Sequence, residues 1–254
     1  MKFLSIGDQV RPGRYTVWTR FQNSVILFST TRRALFIVAP ALGDGPLNAV
    51  HPRPAQALQN IEELRLPRPL TAPRYDSQMP RPTAPQRAQL AAILARHLPR
   101  FAPPDSLISL WLPTRPPLST FQTNRDKLFR QALARAARGQ LPQAVNAIKG
   151  CGIGLTPSGD DFLCGWMLAL RLRRQTQTAR LIANLARGEN PVVNAFLEQA
   201  ARGRVARALK NLLTTPTPAR VKAVCAMGHS SGADLLCGLL FGLNDGLLPL
   251  ESKR

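Results

Sequence analysis

The sequence predicts an α+β protein: a small antiparallel β-rich N-terminal part, then a mainly helical domain with two Gly-rich loop/helix-N-terminus motifs. Three observations predict it. Short apolar runs rich in β-branched and aromatic residues fill residues 1–50. From about Ser119 onward, apolar residues recur at spacings of three and four, punctuated by Gly and Pro. A thirteen-residue segment also recurs once in the second half, each time behind a glycine-rich lead-in.

In chain order, Tyr15–Phe21, Ser24–Ser29 and Ala34–Ala39 read as strands, and Gly43-Asp44-Gly45-Pro46 closes the group. Residues 51–118 read as a Pro-rich connector, since 14 of the 23 prolines lie between 51 and 120. Inside it the spacing predicts one short helix, Pro85–His97, and a strand over Leu107–Leu112. Helices are then predicted at Phe121–Arg138, Gly159–Arg187, Pro191–Arg202, Arg204–Leu213, Pro218–Met227 and Ser231–Leu247. The expected plan is a β-rich subdomain over 1–50, the connector, and a helical domain over 119–254.

Composition excludes several classes. At 254 residues and 44% hydrophobic, the chain can bury a core without disulfide or metal staples. No apolar stretch reaches the ~18–20 residues of a bilayer span. The start, MKFLSIGDQVRPGRY, lacks an apolar signal core, so a cytoplasmic protein is expected. The four cysteines form no C-x-x-C pair, and only His51, His97 and His229 are available, which argues against structural zinc. The net charge of +20 invites a nucleic-acid reading. Against it, Arg is scattered along the chain and no aromatic docking strand is present, so an Arg-rich nucleic-acid binder is the weakest alternative. Attraction of small anions or an acidic partner subunit fits better.

The self-match is the informative feature. Residues 158–170 read SGDDFLCGWMLAL and residues 231–243 read SGADLLCGLLFGL, with seven identities in thirteen positions. Each copy is S-x-x-D before an apolar run. That is the pattern of a capping box, in which Ser158 and Ser231 cap their helices and Asp161 and Asp234 reach back. Gly165 and Gly238 fall inside apolar helices, where Gly costs about 1 kcal/mol against Ala. Close approach of the two helices near their N-termini explains that cost, with both capped ends pointing into one crevice.

No Lys or Arg occurs between Gly150 and Leu170 or between Ala223 and Ser252. Asp160, Asp161 and Asp234 therefore form acidic islands in a basic chain. Asp160 has no counterpart in the second copy, where Ala233 stands, so it is free of the cap. It is a candidate general base, metal ligand or acceptor for a substrate amide. Thr156, Ser230 and the loop NH groups form a natural oxyanion or phosphate cradle. His229 sits in a loop beside two serines, as a candidate proton donor or ligand. Cys164 and Cys237 read as inert core thiols; Cys151 lacks a partner that would make it a nucleophile. Neither a P-loop nor a G-x-S-x-G elbow is present.

Residues 150–165, GCGIGLTPSGDDFLCG, and 228–238, GHSSGADLLCG, resemble the AllH-like family. Its pattern is approximately G-x-G-x-G-L-T-P-S-G-D-D followed distantly by G-H-S-S-G-x-D. Ile153 departs from it, where many members carry Pro. The β-rich start and helical second half also fit, so the resemblance is expected to span most of the chain.

The resemblance implies a subunit of oxamate carbamoyltransferase in allantoin catabolism, acting with other carbamoyltransferase subunits. The reaction exchanges a carbamoyl group between oxalurate plus phosphate and oxamate plus carbamoyl phosphate. Asp160, Asp161 and His229 are the catalytic candidates. Gly154, Thr156, Ser158, Gly159, Ser230, Ser231, Gly232 and Asp234 are the substrate-binding candidates. If a metal takes part, Asp160 and Asp161 are its ligands, Mg²⁺ being the candidate ion. A non-catalytic anion-binding or regulatory subunit is the main alternative.

Overall fold

The structure, a computed structural model, describes residues 1–112 and 117–248. Residues 113–116 and 249–254, which fall within the expected connector and helical domain, lie outside the described residues. The chain is α+β, as expected, and divides into two compact units: residues 1–79 with 204–210, and residues 80–203 with 211–254. Among the described residues no helix is long and apolar enough to cross a membrane.

The first unit holds a seven-stranded sheet. Its strands are β1 (Ser5–Gly7), β2 (Gly13–Phe21), β3 (Ser24–Phe28), β4 (Ala34–Val38), β5 (Asn48–Val50), β6 (Glu63–Leu66) and β7 (Arg74–Tyr75), in the order β6-β2-β3-β4-β5-β1-β7. Pairing is antiparallel except for β4–β5 and β1–β7, which run parallel. The alternation of β3 puts Val25 and Leu27 into a core with Tyr15, Leu35, Ile37 and Ala49. Two strands, β6 and β7, come from the Pro-rich stretch, together with the short helix α1 (Pro54–Ala57). Those strands carry no internal Pro: the prolines bracket them, at Pro67, Pro73 and elsewhere, as strand geometry requires. Residues 204–210 are held to this unit by charge. Arg204 Nη1 lies 2.5 Å from Asp8 Oδ2, Arg207 Nε 2.6 Å from Asp44 Oδ2, and the Tyr75 hydroxyl donates to Val205 O at 3.0 Å.

The second unit is helical. It contains α2 (Ala84–Phe101), α3 (Thr120–Ala137), α4 (Leu141–Ile148), α5 (Ser158–Leu172), α6 (Thr176–Ala186) and α7 (Pro191–Ala201). After α8 (Arg207–Thr214), which begins in the first unit, come α9 (Pro218–Cys225) and α10 (Ser231–Leu243). A capping box, Thr83 with Gln86, starts α2.

Two elements depart from the sequence reading. Leu107–Trp111 is a buried 3-10 helix capped by Ser106, not a strand, because a short apolar run has no period that separates the two. The single helix expected over Gly159–Arg187 is α5 and α6, broken at Arg174, which takes a left-handed φ of 64° with no Gly or Pro to announce it.

The centre of this unit is the pair α5 and α10. Of the 15 residues of α5, 13 are buried, and 10 of the 13 in α10. Helices apolar all round belong in a core. Phe162, Trp166 and Phe241 interlock across the pair, with ring centroids 5.6 and 5.1 Å apart.

Candidate functional site

The glycines explain how the two helices meet. A Cβ on Gly165 would overlap the Leu235 carbonyl of α10, and a Cβ on Gly238 would overlap the Phe162 carbonyl of α5. The contact is reciprocal: each copy's glycine receives the backbone of the other. A second pair repeats the relation, since Gly159 sits on the Ile148 carbonyl at the end of α4 and Gly232 on the Val224 carbonyl in α9. Helix–loop–helix α4–α5 and helix–loop–helix α9–α10 are thus two copies of one structure about an approximate two-fold axis.

This brings the two loops together. Thr156 Oγ1 and Ser231 Oγ lie 2.9 Å apart, across 75 residues of chain. Behind them are two carboxylates, one from each copy. Asp161 is on the α5 side, where the hydroxyls of Ser231 and Thr156 serve it. Asp234 is fully buried on the α10 side and is served by Ser158 and Ser230. Each copy's acid is therefore met by a serine of the other copy. Burial drives the Asp161 carboxyl well above the usual carboxylate range, and the facing Asp234 adds to the rise. Asp234 is raised by burial too, against the opposing pull of the Leu107 NH. One oxygen of each, Asp161 Oδ2 and Asp234 Oδ2, is sealed from solvent and has no hydrogen-bond partner among the described residues. An unpartnered buried carboxylate oxygen is costly unless the group is neutral or a ligand reaches it.

The capping boxes are not formed. Pro157 and Ser230 occupy the cap positions, and neither makes a side-chain cap bond. Ser158 and Ser231 are the first residues inside their helices, one position later than the motif reading places them. Asp161 and Asp234 are correspondingly one turn in, where they face across the helix pair instead of back along their own chain. The helix-end NH cradle is also narrower than expected. Gly159 NH donates to Cys151 O at 2.8 Å and Gly232 NH to Met227 O at 3.0 Å.

The loops themselves are held by left-handed glycines, Gly150, Gly152 and Gly154 in the first and Gly228 in the second. Asn190, the cap of α7, donates from Nδ2 to Leu155 O at 3.0 Å. Asp160 turns away from Asp161. Both of its oxygens accept from the Gly150 NH at 3.2 Å, and it is 5% exposed. The two adjacent acids thus do not converge on one point. Among the described residues no group of three or more His, Cys, Asp or Glu is arranged to hold a metal ion.

His229 is the exposed member. Its Nε2 lies 2.7 Å from Asp105 Oδ2, with 83% of its side chain accessible. The acid that meets it is thus Asp105, from the turn before the 3-10 helix, and not the acids of the first motif. That turn is anchored twice. Arg125, 5% exposed on α3, donates to Asp105 O at 2.6 Å and to Ser106 O at 3.0 Å. Leu107 NH donates to Asp234 Oδ1 at 2.6 Å. Sequence reasoning missed Asp105, Arg125 and the Leu107 NH, because nothing local marks them. The remaining signal was only that two unmatched acids, Asp105 and Asp126, flank Ser- and Arg-bearing positions in an acid-poor chain.

The class that emerges is a helical unit built on a duplicated loop–helix motif, with a hydroxyl–carboxylate centre where the copies meet. A family model described as oxamate carbamoyltransferase subunit AllH matches residues 148–243. That span runs from the end of α4 to the end of α10 and holds both copies, so the likeness to this family lies in the duplicated motif. The match covers the motif-bearing segment and not most of the chain, as the resemblance had implied. No solved structure matches this chain.

Proposed function

We propose that this chain is a subunit of an oxamate carbamoyltransferase and that the Thr156–Ser231 centre handles the carbamoyl group. The observation that carries the reading is the 2.9 Å contact between the two hydroxyls, made by two copies of one motif inside the matched segment. The implied work is a cytoplasmic step of allantoin catabolism, performed with other subunits.

The chemistry fixes what the centre must supply. A phosphate oxygen attacks the carbamoyl carbon of oxalurate, and the bond from that carbon to the oxamate nitrogen breaks. The nitrogen takes a proton and leaves as the amide of oxamate; the products are oxamate and carbamoyl phosphate. The developing oxyanion needs a hydrogen-bond donor, and the departing nitrogen needs a proton. Thr156 and Ser231 are half-buried hydroxyls at the meeting of the loops, able to donate to the oxyanion. Asp161 and Asp234 stand behind them. Asp161 accepts from both hydroxyls and so orients them, and burial favours the uncharged form of both acids, which lessens repulsion of an anionic substrate. Ser158 and Ser230 position Asp234, Gly154 gives the first loop a left-handed turn, and Gly159 and Gly232 let each motif helix close on the helix before it. Asp160 acts by fixing the loop at Gly150. His229, oriented by Asp105, is the solvent-side group that exchanges protons with the departing nitrogen.

The test is to purify the chain alone and with its co-expressed partner subunits, then follow carbamoyl phosphate formed from oxalurate and phosphate. Turnover is expected in the complex, and Ser231→Ala and Asp161→Asn are expected to lose it while the complex still assembles. A complex in which both variants turn over like the parent makes this chain a non-catalytic anion-binding or regulatory subunit and contradicts the assignment.

A further inference from the structure

We infer that the helical unit carries a second anion site, away from the twin loops, built for a small phosphorylated organic molecule. A cavity of about 300 Å³ lies among the end of α5, α6 and α7. Four guanidiniums line it: Arg171 from α5, Arg180 and Arg187 from α6 and its end, and Arg202 from the end of α7. A single carboxylate faces them, Glu198, and it lies 2.6 Å from Arg202. Arg180 and Arg187 have no carboxylate within ion-pair reach among the described residues.

With 14 acids for 34 cations, cations outnumber acids throughout the chain; what marks this cavity is that four arginines line one space with Glu198 as the one acid in its lining. Two of the four are pre-positioned. Arg171 donates from Nη1 to Ala201 O at 2.7 Å, and Arg202 is held by Glu198. Guanidinium groups fixed in this way match the paired oxygens of a phosphate.

The rest of the lining is not cationic. Leu197 and Ala201, 2% and 7% exposed, form an apolar floor with Ala183, and Asn184 adds an amide. A bare ion would leave that floor uncovered. A molecule with an apolar or aromatic body and a phosphate group covers it and meets the guanidiniums, and the volume suits a ligand at the small end of the usual range.

The test uses the full chain, with AMP and inorganic phosphate as probes, by isothermal titration calorimetry. AMP is expected to bind about tenfold or more tightly than inorganic phosphate, and Arg180→Gln/Arg187→Gln to weaken AMP by about tenfold. Ser231→Ala should leave AMP binding unchanged, so that failure of this site and failure of the twin-loop reading are separate results. Three outcomes overturn the inference: no AMP binding, equal affinity for inorganic phosphate, or equal weakening by the control pair Arg32→Gln/Arg33→Gln, which would mean only long-range attraction to a basic protein.

Discussion

The two motif copies share a backbone and differ in what they display. Both present a serine at the first helical position, an acid one turn later and a glycine that admits the other helix. The shared residues are those that make the copies fit each other. The differences lie on the loops and the first helical turns: Asp160 against Ala233, Thr156 against His229, Pro157 against Ser230. The first loop ties itself down through Asp160 and Gly150, whereas the second reaches out through His229 to Asp105. Duplication explains the frame, and divergence marks where one copy closes the site and the other opens it to solvent.

The frame is the easiest part to break. Gly165→Ala and Gly238→Ala each drive a methyl into a backbone carbonyl that cannot swing aside. Each should cost about 3 kcal/mol, the upper end for a core forced apart, and the two costs should match within error. Denaturant titration of the two variants checks both the size and the equality. Unequal losses would show that the contact is not reciprocal.

Asp160 separates the copies. Asp160→Ala removes the acceptor of the Gly150 NH and should cost about 1 kcal/mol, the net worth of an ordinary hydrogen bond. No change at Ala233 can reproduce that loss, because the second loop has no equivalent bond. Calorimetric melting of Asp160→Ala provides the measurement, and an unchanged melting temperature would remove the role of Asp160 in fixing the loop.

The paired acids predict a pH signature. Burial raises both Asp161 and Asp234, so the folded state favours their protonated forms. Their contribution is therefore complete below the ordinary carboxylate range and is lost as pH rises through the raised folded values. Asp161→Asn removes one of these groups. Its melting temperature, relative to the parent, should rise from acidic to neutral pH, and a constant difference across that range would contradict the burial account.

The smallest effect on stability falls at His229. It is exposed, and His229→Ala should change unfolding free energy by no more than about 0.5 kcal/mol while lowering turnover of the assembled enzyme. Paired melting and activity assays separate the two. A large stability loss would make the contact with Asp105 structural.

Much of this centre is legible in the sequence. The seven identities announced two like helices, and glycine inside an apolar helix announced a close crossing at that height. The one-residue error in the caps has a local cause. S-x-x-D fits a helix that starts either at its Ser or just after it, and Pro157 and Ser230 hold the cap position here. Strands inside the Pro-rich stretch were hidden because β6 and β7 are short and the prolines around them dominate the pattern. Asp105, Arg125 and the Leu107 NH were beyond reach for another reason. They join the site through tertiary contacts, Leu107 meeting Asp234 across 127 residues, and no periodicity or motif encodes such a meeting.

The central claim is that Thr156 and Ser231, one from each copy, act as a single unit on the carbamoyl group. A double-mutant cycle on kcat/KM for phosphate-dependent cleavage of oxalurate, in the assembled complex, tests it most directly. If the two hydroxyls work together, Thr156→Val and Ser231→Ala will each remove most of the activity, and the double variant will lose little more than either. Losses that simply multiply would mean that the hydroxyls act separately, and the shared centre would be wrong.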